Sequence, residues 1–443
     1  MRRWDLLWCV FTISVAAALL AGCGGSQAPI GAPGAMPQNR EIAPTHSMRQ
    51  RHASGSSYHV VYNFTGGSDG AQPLAGLINV NGTLYGTTFQ GGGSGCYRNL
   101  GCGTVFSITP SGQEKVLHAF TGGADGANPR AALIDVNGTL YGTTFHGGDT
   151  KCKGCGTVFS ITPSGAEKVL HSFSGPPDGA WPAAALIDVN GTLYGTTAEG
   201  GTSGGCRLGL PKRGCGTVYS ISPSGSENVL FRLVGPATGS FPDAPLIDVN
   251  GTLYGTAENG GGGHGPGTVY TVTPSGSGKL LYHFTYKELV GFAPAAALID
   301  VKGLLYGTLS AGSGRGKKKD RGGPGTVVSI TTSGSVKVVY SFGFTDGASP
   351  TASLINVRGT LYGTTTAGGV RGCFSPNSYG CGTVFSVTPG GTEQVLHSFS
   401  VNGDGYFPAS NLINVNGTLY GTTAYGGAQG GAYGYGTVYA ITP

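Results

Sequence analysis

The sequence predicts an all-β fold, a seven-bladed β-propeller of four-stranded antiparallel blades, from its repeats, their period and its composition. The phrase VNGTLYGTT runs from Val80 to Thr88 and returns unchanged from Val136, Val189 and Val415, with near-copies from Val249, Val301 and Val357. Its tyrosines, at 85, 141, 194, 254, 306, 362 and 420, stand 52 to 60 residues apart, a period that suits propeller blades. Glycine supplies 84 of 443 residues and charged residues only 11%, a mixture that disfavours helices and favours short strands joined by tight turns.

The second unit shows the four strands. Ala132 to Val136 (ALIDV) is strand a, and Asn137-Gly138 is a two-residue hairpin turn of the primed type. Thr139 to Thr144 (TLYGTT) is strand b. A glycine-rich loop leads to strand c, Gly156 to Thr162 (GTVFSIT), and a Pro-Ser-Gly turn leads to strand d, Glu167 to Phe173 (EKVLHSF). The repeat region opens on a lone d strand, Tyr58 to Phe64, and closes on a lone c strand, Gly436 to Thr442. Pairing those two ends completes the seventh blade and closes the ring, which removes exposed edges and ties down both ends. Within the phrase, Leu84 and Tyr85 point to opposite sheet faces, and both are expected to be buried because neighbours cover both faces of a blade. Gly86 is expected to leave room for a close neighbouring sheet, and Asn79, Asp135, Asp188, Asp248, Asp300, Asn356 and Asn414 to hold their hairpins.

Residues 1–22 read as an export signal, with Arg2 and Arg3 before the apolar run Leu6 to Leu20. The run ends in LLAGC, which resembles the lipobox of bacterial lipoproteins; the resemblance implies lipidation of Cys23 and, with Gly24 next, an outer-membrane location. Residues 23–57 then form a Gly/Pro/Ser-rich tether, and 58–443 the propeller. A formal charge of +5 is small for this length and gives no reason to expect nucleic acid as a partner.

The recurring L-Y-G-T-T, G-G and G-T-V-F/Y over residues 58–443 resemble the choice-of-anchor GloVer tandem-repeat proteins. The resemblance implies an exported bacterial repeat protein with a lipid or other anchor, and it brings no catalytic residues. Unit five departs most, with Leu304 in place of Thr and TLSAGSG in place of TTxxGG.

After Cys9 and Cys23, eight cysteines remain as Cys96/Cys102, Cys152/Cys155, Cys206/Cys215 and Cys373/Cys381, each pair in a b-to-c loop. Units four, five and seven lack both members together, so four local disulfides that close flexible loops are expected; a metal at Cys152-Lys-Gly-Cys155 is the alternative. His118, His171 and His397 share a strand-d position with Tyr62, Phe231, Tyr282 and Tyr340, which reads as a packing position. No cofactor and no metal are expected, and the chain is expected to be monomeric.

The b-to-c and d-to-a loops share one end of the ring, the candidate functional face. The position before the GG after strand b varies inside a constant frame: Gln90, His146, Glu199, Asn259, Ala311, Ala367 and Tyr425. The d-to-a loops carry D-G at Asp69, Asp125, Asp178, Asp346 and Asp404, which either ring the mouth or cap their own turns. Trp181, Phe241 and Phe407 precede the loop prolines and offer stacking surface for a sugar or peptide, or pack beneath the loops. Five cations from Arg315 to Arg321 form a basic loop that suits an anionic partner or simply faces solvent. These features predict a non-catalytic, envelope-anchored module that binds a polysaccharide or an envelope protein. A polysaccharide hydrolase or lyase using His146, Glu199 and Glu258, and an outer-membrane assembly scaffold, are the alternatives.

Overall fold

The computed structural model describes residues 56–443 apart from 150, 151, 153, 202–205, 207–213, 261–264, 287–289, 313–322, 371, 374–379, 402 and 429–433. The export segment, Cys23, most of the tether and the basic run lie outside the described residues. Seven four-stranded antiparallel sheets form the ring. In blade 2 the strands are a, Ile134–Val136; b, Thr139–Thr144; c, Thr157–Ile161; and d, Glu167–Ser172. The a strands of adjacent blades approach one another, so they are the inner strands and the d strands form the outer edge. Among the described residues, no helix is long and apolar enough to cross a membrane.

Every a-to-b hairpin turns on a left-handed pair such as Asn137 (φ 53°) and Gly138 (φ 82°). In blade 2 the Asp135 carboxylate accepts the Gly138 amide at 3.0 Å, and Asn79 and Asn414 act alike at Gly82 and Gly417, also at 3.0 Å. The phrase repeats its letters because it packs on both faces. Leu140 is wholly buried and Tyr141 nearly so, each in a different inter-blade core. The crowding at Gly86 arises within its own blade: a Cβ there would stand 2.7 Å from the Phe106 ring and 2.8 Å from Leu77. Phe106 is the cross-strand partner of Gly86 and lies over it, so the space is taken by an aromatic ring on strand c and not by the neighbouring sheet.

The first Thr of the TT pair links blades. Thr87 donates to the Ala131 carbonyl of blade 2 at 3.2 Å, Thr143 to Ala184 at 3.3 Å, and Thr364 to Ser410 at 3.1 Å. The second Thr locks strands b and c, as in Thr144 to Thr157 at 2.8 Å. Ring closure follows the expected route. The d strand Ser57–Asn63 pairs with the c strand Thr437–Thr442, from Ser57 opposite Thr442 to Asn63 opposite Thr437. Seven apolar clusters fill the seams, and the one containing Phe64, Leu84, Phe106, Tyr420 and Val438 joins the last blade to the first.

Four disulfides join the expected partners, Cys96–Cys102, Cys152–Cys155, Cys206–Cys215 and Cys373–Cys381. They close their b-to-c loops as expected, and their placement adds a second role. The second member of each pair is buried in a seam cluster: Cys102 beside Phe120, Cys155 beside Phe173, Cys215 beside Leu233 and Cys381 beside Phe399. Cys373, a first member, is buried as well. The reason is their position directly before strand c, where the chain has already passed under the following d-to-a loop. Each bridge therefore fastens its loop to the packed interior, and none of Cys102, Cys155, Cys215 or Cys381 offers a surface to a ligand.

Candidate functional site

Each d-to-a loop holds one residue in the left-handed region just before its proline: Gln72 (φ 56°), Asn128 (56°), Trp181 (59°), Phe241 (59°), Ala293 (57°), Ser349 (53°) and Phe407 (62°). The cause is a pair of hydrogen bonds on either side. The Trp181 amide donates to the Cys155 carbonyl of the preceding blade at 2.7 Å, while the Trp181 carbonyl accepts the Ala198 amide at 3.1 Å. The other buried half-cystines serve in the same way. Cys102 accepts the Asn128 amide at 2.6 Å, Cys215 that of Phe241 at 3.1 Å and Cys381 that of Phe407 at 3.0 Å. Asn tolerates this conformation, but a Trp or Phe pays roughly 1–2 kcal/mol for it. Large rings therefore occupy strained positions in three loops. Trp181 stacks at 5.9 Å on Phe145 and meets His146 edge-on at 6.5 Å, and Phe407 meets Tyr425 at 6.0 Å.

Beside Trp181 lies a charged group that is not repeated among the described residues of the other blades. Arg130, next to the loop proline of blade 2, sets its guanidinium 4.9 Å from the centre of the Phe145 ring. Its charge acts on His146 and also on Asp243 and Glu258 of blade 4, a reach across blade 3 that is available where the blades converge. Burial, and then Arg130, lower His146 to about 4, so its imidazole is neutral at pH 7. His146 Nδ1 lies 3.3 Å from Asn128 Oδ1, which fixes the ring. Burial, and then Asp243, raise Glu258 to about 7, with Arg130 acting in the opposite sense. Burial also raises Asp243, whose buried Oδ1 makes no hydrogen bond with any described residue. The arrangement can present a neutral imidazole, a carboxyl that titrates near neutrality and a fixed cation beside aromatic rings.

The sequence-predicted rim residues all sit on this face. Gln90, His146, Asn259 and Tyr425 bridge through their backbones to Ala71, Ala127, Ser240 and Tyr406, and Glu199 pairs with Ala180. His146 and Glu258 belong to one electrostatic group; Glu199 is buried in the intervening blade 3. The five loop aspartates lie at the outer strand, where their own loops hold them. Asp125 accepts the Thr121 amide at 2.8 Å and its hydroxyl at 2.5 Å; Asp69 and Thr65 repeat the pattern at 2.8 and 2.6 Å. Ser174 holds Asp178, Ser400 holds Asp404, and Gly343 holds Asp346. The strand-d histidines do more than pack: Nε2 of His118, His171 and His397 stands 3.4, 3.3 and 3.0 Å from Asp125, Asp178 and Asp404.

Arg130 and Asp243 escape a reading centred on the repeated phrase. Their column, the residue after each loop proline, reads Leu74, Arg130, Ala183, Asp243, Ala295, Thr351 and Ala409, and the two charges in it were the available signal.

The Gloeobacter/Verrucomicrobia repeat family matches the chain over residues 97–319 and 314–443. The chain belongs to this family. No curated protein matches this Gloeobacter/Verrucomicrobia repeat protein. Among solved structures it is similar to a candidate gluconolactonase at 11% identity over 88% of this chain and 93% of that one (TM-score 0.42). It is also similar to the Saccharomyces cerevisiae protein Sqt1, at 12% identity over 82% and 83% (TM-score 0.47). A third likeness is to the PQQ-bound aldose sugar dehydrogenase of Streptomyces coelicolor, at 13% identity over 87% and 98% (TM-score 0.39).

Proposed function

We propose that this Gloeobacter/Verrucomicrobia repeat protein is an exported module, held at the envelope through lipid on Cys23, that binds a polysaccharide at the loop face. One observation supports it above the rest: strained aromatic residues flank an unrepeated set of Arg130, His146, Asp243 and Glu258. Ring faces take up the C–H faces of sugars, and buried charged groups select among hydroxyls and carboxylates. The four disulfides accord with an oxidising compartment.

The experiment incubates the full-length protein with a panel of polysaccharides and follows retention and released products by mass spectrometry. Retention without products, weakened at least tenfold by Trp181→Ala, is the expected result. Silence across the panel together with specific capture of an envelope protein would replace the polysaccharide with a protein ligand. The anchor is tested separately, since Cys23→Ala should release the protein from membranes.

A second reading, cleavage of the same polysaccharide, draws on the titration of Glu258 near neutrality beside Asp243. Product release lost in Glu258→Gln would establish it.

A further inference from the structure

The seams between outer strands carry a second set of chemical groups, distinct from those of the charged mouth. In blade 2, His171 ends a bulged stretch of strand d: Val158 pairs with His171 and Phe159 with Val169, leaving Leu170 as the extra residue. The bulge re-aims the imidazole, as such insertions commonly do. Its Nε2 stands 3.3 Å from Asp178 Oδ2 in the loop that follows. Across the seam, Glu227 opens strand d of blade 3, Glu227–Arg232, and one atom from each of the three residues falls within 4.8 Å of the others.

Ordinary hydrogen bonding leaves this group unfinished. Glu227 Oε1 is buried and makes no hydrogen bond with any described residue. The Asp178 carboxylate, in contrast, is held firmly, by the Ser174 amide and hydroxyl at 3.0 and 3.2 Å and by the Gly179 amide at 2.6 Å. A carboxylate oriented in that way beside a histidine is how protein metal sites are usually supported. Two ligands each about 2.0 Å from a tetrahedral zinc stand about 3.3 Å apart. The His171–Asp178 separation matches that edge, and a Glu227 carboxylate oxygen, within 4.8 Å of both ligand atoms, stands in place as the third ligand. Among the described residues the other charge acting on Glu227 is that of Arg232, whose Nε donates to the Pro177 carbonyl at 3.3 Å.

We infer that His171, Asp178 and Glu227 bind a first-row divalent cation of the zinc class, which fastens adjacent blades together at the outer edge of the ring. One imidazole and two carboxylates match zinc or manganese better than calcium, which takes oxygen ligands in larger number. Three protein ligands leave a fourth position open to solvent or to an anionic group. The preceding seam repeats the residue types in His118, Asp125 and Glu167. There His118 Nε2 and Glu167 Oε1 are both buried without a hydrogen bond to any described residue, at a His–Asp separation of 3.4 Å.

The ring itself supplies a conservative test variant. Tyr62 fills the His171 position in the last blade and donates its hydroxyl to Asp69 at 3.1 Å, so His171→Tyr preserves a native contact while removing the imidazole. Glu227→Gln preserves shape while removing the charge. Full-length protein stripped with a chelator is dialysed against ZnCl2, and bound metal and thermal midpoint are measured. The expected result is retained zinc and a raised midpoint, with affinity at least tenfold lower in His171→Tyr and in Glu227→Gln, both showing wild-type circular dichroism. Calcium should not compete. No retained zinc, or zinc retained equally by wild type and both variants, overturns the inference. Should either variant fail to fold, zinc protection of wild-type Glu227 from carbodiimide labelling decides the matter, since a liganded carboxylate resists activation and an unliganded one does not.

Discussion

Thr422 of the last blade donates its hydroxyl to the carbonyl of Ala75 in the first, at 3.1 Å and across 347 positions of sequence. The same residue also reaches the Pro73 carbonyl at 2.9 Å. This is the closing member of the threonine links found at the other seams. Thr422→Val keeps the shape but leaves buried carbonyls without their donor, and it should cost about 1–2 kcal/mol in urea unfolding. An unchanged midpoint would show that the closing seam gains nothing from the hydroxyl.

The aromatic ring over the strand-b glycine in six of the seven blades makes a second expectation. A Cβ at Gly86 would press on Phe106 at 2.7 Å and on Leu77 at 2.8 Å. In blade 5, Val328 replaces the ring opposite Gly307, where Leu298 at 2.7 Å is the close contact. Gly86→Ala should therefore destabilise by about 2 kcal/mol and Gly307→Ala by less, since a single flexible methyl gives way more readily than a packed ring. Equal losses would sink this account.

Three strand-c positions hold tyrosine where their counterparts hold phenylalanine. The hydroxyls of Tyr219, Tyr270 and Tyr439 are buried and make no hydrogen bond with any described residue, while Phe106, Phe159 and Phe385 are fully buried in the same register. Tyr270→Phe should raise stability by about 1 kcal/mol, read as a higher thermal midpoint. A lower midpoint would mean that the hydroxyl has a partner.

Trp181 is held in a conformation that suits glycine. Trp181→Gly relieves that strain and loses the contact with Phe145, two changes of opposite sign. Stability should stay within about 1 kcal/mol of wild type while polysaccharide retention falls at least tenfold. Loss of both together would mark the ring as a packing element.

The seam carboxylates set the pH dependence of metal-free protein. Glu114, Glu167 and Glu393 are each raised to about 7, first by burial and then by the aspartate across the seam; Glu227 is raised for the same reasons. A folded-state pKa above the unfolded value means the folded ring retains a proton that the unfolded chain gives up. Stability is therefore greatest below about pH 4.5 as far as these groups are concerned, and it falls as pH rises toward 7. Asp178 acts in the opposite direction: burial raises it, but hydrogen bonds from His171, Ser174 and Gly179 outweigh burial, so its contribution is lost in acid. Replacing the four glutamates with glutamine should flatten the decline between pH 5 and 8. A decline of unchanged slope would assign it to other groups.

The architecture was legible because each blade must satisfy the same neighbours. Period, turn residues and the unmatched strands at the two ends specify seven blades and their closure, as the pairing of Ser57–Asn63 with Thr437–Thr442 shows. Cysteine pairing was legible from joint presence and absence, whereas the burial of Cys102, Cys215 and Cys381 was not, because it depends on the loop that folds over them from the next blade. The site was less legible because side chains meet there across blades. His146 was visible in the varied column before the GG and Glu258 one place before it, whereas Arg130 and Asp243 sit after the loop prolines and join them through space. The histidines pack as expected, on Phe120, Phe173 and Phe399, but their second role was hidden for a related reason. Sharing a position with tyrosine looked like packing, yet His171 and Tyr62 both place a polar atom against the aspartate of the following loop.

The ring-closing strand also fixes where the polypeptide enters. Ser57 pairs with Thr442 at the end where the c-to-d turns lie, opposite the end that carries the d-to-a loops. The described chain therefore begins on the face of the ring opposite the one that carries Arg130, His146, Asp243 and Glu258.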